Sequence, residues 1–450
     1  MLVFISDLHF TDGTATSTLN PGIFKIFSGL MQDIINRSTP EYLNIVFLGD
    51  IFDLLRTGHW NSTQLRPWSE DEKLCDVINE IILRITAYAP NLEAINHLKQ
   101  FLREISETGV PVGVEYLPGN HDRMINQSPA SVESITRFLG MEKHDSHKFP
   151  VQKLWEDHRV FARHGEIYDP VNYEGEEKAP LGDAIVIDLL NRFMEEIKKE
   201  FGTADSKALL SEIAEIDNVR PLIDIPAYIN NVCRKHGGDP IVRRVKKIWD
   251  KLAVEFVRSD VLSRRDKILK WDIANTVRAA LFLTRRFSNG LIADMLSNQR
   301  LRDLFAGETY LAKKAASEEA IKEGKADFVV YGHTHKQAMV PLTGWDGAGT
   351  PKESFYFNTG TWRRVFLAAV RHRPADHRRE RLGHVPQVRL GRQVLHQHLA
   401  RTGADERHRP RQHLVKHRAQ RVDVDPAVVL ADADLRRHVM HRSHRHGLRA

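Results

Sequence analysis

Nine residues gather the chemistry of this sequence. They are Asp7 and His9 in Ser6-Asp7-Leu8-His9, Asp50 in Gly49-Asp50-Ile51-Phe52-Asp53, Asn120, His121 and Asp122 in Gly119-Asn120-His121-Asp122, His164 before Gly165, and His333 and His335 in Gly332-His333-Thr334-His335. A mixed set of carboxylate, amide and imidazole donors suits borderline divalent metals such as manganese, iron, zinc, cobalt or nickel. It does not suit calcium or a thiolate-bound structural zinc. The set exceeds what one ion would use while leaving room for a substrate. With one carboxylate bridging, it suffices for two ions about 3.5–4 Å apart, the arrangement of hydrolytic phosphate chemistry. Taken singly, each residue has a plainer reading: Asp7 and His9 as loop residues, Gly119–Asp122 as a turn, His164 as a hydrogen-bonded core histidine. Their joint occurrence is what points to a site.

The elements that must position these residues are short apolar runs. Leu2–Ile5, Leu43–Leu48, Val110–Leu117, Val160–Arg163 and Asp327–Tyr331 each read as a buried strand, and each ends in one of the polar clusters. A last strand, Ser354–Asn358, precedes Thr359-Gly360-Thr361-Trp362. In α/β architectures, ligands gather at the carboxyl ends of strands, where loops converge on a rigid frame. Apolar spacing predicts helices from about Phe24 to Asn36 and over roughly 70–108. The interval between His164 and Gly332 is too long for a loop, and about 170–322 is expected to form a mainly helical insertion.

The ordered series of motifs resembles that of the calcineurin-like metallophosphoesterase superfamily over about 1–165 and 326–362. The resemblance implies an α/β fold, a sandwich of two mixed β-sheets flanked by helices, with the large helical insertion as a cap. It implies one metal held by Asp7, His9, Asp50 and His335, and a second held by Asp50, Asn120, His164 and His333, with Asp50 bridging. Manganese is the ion expected first, and a water or hydroxide between the ions would be the nucleophile. His121 would face the phosphate as a catalytic group, and Asp122 would fix its tautomer. Arg123 is a candidate substrate contact. Asp53 reads as an N-cap, with a supporting acid as the alternative, and Lys336, Arg363 and Arg364 read as surface charges. Gly49–Asp53 and Ser6–His9 look most like the UDP-2,3-diacylglucosamine pyrophosphatase branch, which usually has Arg where His121 stands. The expected activity is hydrolysis of a phosphodiester or pyrophosphate, on a small, nucleotide-sugar or lipid-linked substrate. A nuclease or nucleic-acid phosphatase with the same centre, or a non-enzymatic scaffold, are the alternatives.

The 450 residues are 42% hydrophobic and 28% charged, which excludes collagen-like and coiled-coil chains. No run approaches the roughly 20 apolar residues of a membrane span. The start lacks a basic n-region and is not expected to be a signal peptide. The two cysteines, Cys75 and Cys233, make no disulfide framework, and a cytoplasmic location is expected. Val277–Phe287 is apolar with arginines at its edges; packing within the insertion is expected, with peripheral contact to a lipid surface as the alternative.

The net charge of +6 is unevenly spread. From Arg371 to Ala450, 18 Arg and one Lys stand against six Asp and two Glu, a net +11, whereas residues 1–370 carry −5. The acidic body argues against nucleic acid as a partner. The tail holds 12 of the 23 histidines and no Phe, Trp, Tyr or Ile. Residues from about 370 onward are therefore expected to lie outside the functional fold. The loss of Lys in favour of Arg is what a shifted reading frame in GC-rich DNA produces; a disordered basic tail is the alternative. The expected divisions are 1–169 and 323–369 for the phosphoesterase domain, 170–322 for the insertion and 370–450 for the tail.

Overall fold

The computed structural model describes residues 1–142, 147–176, 178–202, 206–220, 225–264, 275, 277–278, 281, 308–345, 351–367 and 429–431. Eleven strands are present among them: β1 (Leu2–Ile5), β2 (Leu43–Leu48), β3 (Val112–Leu117), β4 (Gln152–Trp155), β5 (Val160–Arg163), β6 (Val219–Arg220), β7 (Phe328–Tyr331), β8 (Ala338–Trp345), β9 (Pro351–Asn358), β10 (Phe366–Leu367) and β11 (Val429–Ala431). One mixed sheet has the order β11-β1-β2-β3, with β1, β2 and β3 parallel and β11 antiparallel to β1. The other has the order β4-β5-β7-β9-β8, parallel at its centre and antiparallel at both edges.

The sheets pack face to face through Leu2, Phe4, Val46, Leu48, Leu117, Val160, Ala162 and Val330. The alternate residues of β1 and β2, Val3, Ile5, Ile45 and Phe47, enter a second core on the outer face. Burial on both faces is why these strands are continuously apolar.

That outer core is closed by helices α1 (Ile23–Ser38), α2 (Leu74–Ala87), α3 (Ala89–Glu107) and α4 (Pro129–Leu139). In α1 the buried residues are Phe24, Phe27, Met31 and Ile35, a three- and four-residue spacing that lines one helix face. The stretch expected as helix over 70–108 is two helices, divided at extended Tyr88, and Pro90 opens the second.

The insertion has its own core. Helices α5 (Leu181–Ala184), α6 (Arg192–Phe201), α7 (Lys207–Ile213), α8 (Ile225–Val257) and α9 (Asp260–Arg264), with a π-helical turn at Ile185–Asn191, enclose Phe193, Ile197, Ile213, Ile229, Trp249 and Phe256. Within α8, Gly237 and Gly238 are non-helical and Pro240 follows, so the chain bends there. The strand pair β6 and β10 ties this unit to the end of the sandwich. Helices α10 (Glu308–Ala315) and α11 (Glu319–Lys322), expected within the insertion, pack instead on the outer face of the second sheet through Leu311, Ala312, Ala315 and Ala320. Their short apolar sides match the surface of Val329, Tyr331 and Tyr356.

Of the apolar stretch 277–287, Leu281 is buried in the insertion core and Val277 packs against it; Phe282 and Leu283 lie outside the described residues. No described helix is long and apolar enough to cross a membrane. Of the tail, the described residues are Val429–Ala431, which line the edge of β1; the remainder of 368–450 lies outside them.

Candidate metal centre

The strand ends deliver the polar residues to one place, and the backbone there is strained. Seven described non-glycine residues have positive φ, and five of them are Asp7, His9, Asp50, His333 and His335. Asp and His tolerate the left-handed region better than most side chains, yet each such residue costs roughly 1–3 kcal/mol and persists only where its surroundings enforce it. Here the loops lock one another: Asp7 N donates to Gly49 O at 3.1 Å, and His9 N to Asp50 O at 2.9 Å. Packing is equally close. A Cβ on Gly119 would lie 2.5 Å from Asp50 Oδ1, and one on Gly332 would lie 2.5 Å from Asp7 Oδ2.

Three compact donor groups result: Asp7, His9 and His335; Asp50, His164 and His333; and His9, Asp50 and His121, each with ligand-type atoms within 4.8 Å of one another. Three imidazoles have one nitrogen turned outward to an acceptor. His9 Nδ1 lies 3.0 Å from Asp53 Oδ2, His164 Nδ1 lies 2.9 Å from Leu48 O, and His333 Nε2 lies 3.0 Å from Asp169 Oδ2. The proton sits on the outward nitrogen, and in the neutral ring the other nitrogen is a lone pair. The inner nitrogens of His164 and His333 meet oxygen electron pairs, and that of His9 meets another ring nitrogen. His164 Nε2 is 3.1 Å from Asp50 Oδ2, His333 Nδ1 is 3.1 Å from Asn120 Oδ1, and His9 Nε2 is 3.0 Å from His335 Nε2. Asp7 Oδ1 and His164 Nε2 are buried with no hydrogen-bond partner. Lone pairs converging in a buried site require positive charge between them, so the residues fit divalent cations.

With no ion bound, protons supply part of that positive charge. Burial works against a charged His164, but the Asp50 and Asp7 carboxylates hold its pKa well above the usual value. Burial would raise Asp50, yet His164 and His121 hold it well below the ordinary carboxylate range. Burial likewise opposes charge on His121, and Asp53 with Asp50 raises it to about 9.

Several placements differ from the sequence-based expectation. Asp122 does not touch the His121 ring. Its Oδ1 accepts from Gly119 N at 2.6 Å, and its Oδ2 from Ile51 N at 2.8 Å and Phe52 N at 3.3 Å, so it ties the loop after β3 to the loop after β2. The residue on His121 Nδ1 is Asp53, at 2.8 Å. Asp53 also accepts from Arg56 N at 3.1 Å within its own loop, but the next helical turn, Gly58–Ser62, is capped by Thr57, so Asp53 is the supporting acid and not an N-cap. Arg123 spans both carboxylate oxygens of buried Asp183 in the insertion and donates to Asn120 O at 2.8 Å. Arg363 is buried and bonds Ser17 O at 3.1 Å, so it is no surface charge. Asp169 was missed altogether; its one signal was an acid five residues beyond His164.

The fold and this constellation define a class, the metal-dependent phosphoesterases with a two-sheet sandwich. The family model for calcineurin-like phosphoesterases matches residues 1–257, and the chain belongs to that family. The match contains Asp7 to His164 and ends before His333 and His335, which β7 returns to the same site. No curated protein matches the chain.

Proposed function

We propose that this chain is a dinuclear-metal phosphoesterase that hydrolyses a phosphodiester or a pyrophosphate. One observation carries the reading: imidazoles fixed by outward hydrogen bonds turn their second nitrogens toward Asp50 and Asn120 in a buried cluster. Asp7, His9, Asp50 and His335 would hold one ion, and Asp50, Asn120, His164 and His333 the other. Such ions supply Lewis acidity and an activated water. Manganese is the first choice for this donor set.

The chain's own residues do the rest. Asp53 accepts from His121 Nδ1 and, with Asp50, favours the imidazolium, so that Nε2 carries the proton given to the leaving oxygen and the ring is left neutral. Asp122 holds the two loops in register so that His121 and Asp50 keep their spacing. The His121 backbone N donates to Asp50 Oδ1 at 2.8 Å, which couples the acid directly to the shared carboxylate. A nucleotide-sugar or lipid-linked substrate is part of this reading; the Gly49–Asp53 motif and an insertion with its own core support it. So is a cytoplasmic location, supported by Cys75 and Cys233 as free thiols.

The test is a metal-dependent hydrolysis screen with bis(p-nitrophenyl) phosphate, the corresponding monoester, UDP-sugars, cyclic nucleotides and DNA. Turnover of the diester or a UDP-sugar, abolished by chelation, is expected. Preferential cleavage of DNA that survives removal of the tail would favour the nuclease instead. No turnover of any of these with added manganese would overturn the reading.

A further inference from the structure

We propose that Asp169 is a positioning residue that holds His333 ready for the second metal ion before the ion arrives. The inference rests on the reading of Asp50, Asn120, His164 and His333 as that ion's ligands. Asp169 follows the short helical turn Glu166–Tyr168, five residues beyond His164, and is buried. Its Oδ1 accepts from Val171 N at 2.9 Å; its Oδ2 accepts from Asn172 Nδ2 at 2.8 Å and from His333 Nε2 at 3.0 Å. The carboxylate is thus fixed from its own loop, and its remaining contact decides the state of a ring 164 residues away. With the proton on Nε2, His333 Nδ1 is the lone pair that faces Asn120 Oδ1. Without Asp169 the ring would keep its contacts with Asn120 and the His164 ring but lose the acceptor that selects that tautomer.

The backbones that carry the pair are fastened together as well. Tyr168, next to Asp169, donates to Glu318 Oε1 at 2.7 Å, and Tyr331, two residues before His333, donates to the same oxygen. The two tyrosine rings lie 5.9 Å apart, and Arg163 Nε is 3.3 Å from that oxygen. One buried carboxylate therefore anchors both arms, and the Asp169–His333 spacing does not depend on a bound ion. Residues that orient a metal-bound histidine in this way typically account for about 10–100-fold in metal affinity.

The experiment is titration of the purified full chain with Mn(II), read by ion stoichiometry and electron paramagnetic resonance. Wild type should bind two ions and show a spin-coupled pair at saturation. Asp169→Ala should bind the first ion as wild type does and the second about 10–100-fold more weakly. It should show an isolated-ion spectrum where wild type shows the pair. Asp169→Asn keeps an oxygen that accepts from Nε2 and should recover part of the loss. Two ions bound to Asp169→Ala with wild-type affinities would overturn the inference, as would an Asp169→Asn as impaired as the alanine variant. If Asp169→Ala does not fold, the imidazole ¹⁵N shifts of His333 in the metal-free wild type decide: the Nε2–H tautomer is expected, and the Nδ1–H tautomer overturns it. Asp50→Ala separates the two readings. If it binds Mn(II) as wild type does, the metal centre itself is wrong and the inference falls with it; if it loses both ions while Asp169→Ala loses none, the inference alone fails.

Discussion

Asp53 Oδ1 stands 2.8 Å from His121 Nδ1, and the other oxygen of the same carboxylate stands 3.0 Å from His9 Nδ1. A single buried acid therefore orients both the proposed proton donor and a proposed metal-holding ring. The two rings meet edge to face with centroids 4.8 Å apart, so neither can turn without the other. His121→Ala should keep its metal and lose roughly 10²–10⁴-fold in kcat, the usual worth of an acid–base group. Asp53→Ala should lose turnover and also weaken metal binding through His9. Parallel metal analysis and kinetics check both; loss of metal from His121→Ala would contradict the division of roles.

Asp50 sits within reach of both donor groups, with Oδ2 3.1 Å from His164 Nε2 and 4.0 Å from His9 Nε2. Asp50→Ala should be the most damaging single change, with both ions lost and activity at background. Inductively coupled plasma analysis of the purified variant reads this directly. Full metal content with full turnover would remove Asp50 from the centre.

Arg56 fastens the insertion to the loop that carries Asp53. It is 1% exposed, with Nε 2.7 Å from Asp217 Oδ2 and Nη1 2.6 Å from Asn191 Oδ1. Breaking a buried pair by removing one partner costs about 3–5 kcal/mol, and Asp217 keeps some access to water. Arg56→Ala should therefore lower stability by about 3 kcal/mol, read as a lower denaturant midpoint. A midpoint equal to wild type would show that the insertion is not held there.

Cys233 lies in the insertion core, where burial pushes its thiol up to about 12. At pH 8 only about one part in 10⁴ is the reactive thiolate. Native protein should show one fast thiol with a disulfide reagent, the partly exposed Cys75, and a second only on unfolding. Two fast thiols in the folded protein would mean that the α6–α8 packing is not as described.

The tail yields the last test. Translation of the same DNA in the other two frames beyond Val370 should continue with aromatics, Ile and ordinary Lys usage. Frames broken by stops would favour a genuine basic tail. Truncation at Arg371 should leave metal content unchanged while exposing the β1 edge that Val429–Ala431 lines.

Chain order alone carried the strand-end pattern. Apolar runs buried on both faces are continuous in sequence, and the polar cluster after each is local to it, so β1, β2, β5 and β7 and the residues they deliver were legible without coordinates. The hairpin strand β8 and the edge strand β4 were not: their residues alternate or are half exposed, and edge pairing leaves a weak apolar signal. Which residue supports which was decided only by folding. Asp122 is adjacent to His121 in sequence, yet its carboxylate turns to the amides of Gly119, Ile51 and Phe52. The ring is met by Asp53, 68 residues earlier. Asp169 reaches His333 and Asp183 reaches Arg123 in the same way. Ligand-type residues must stand at strand ends and so repeat a pattern. The groups that fix their protons and orientation need only be near in space, and any loop that comes within about 3 Å can supply them.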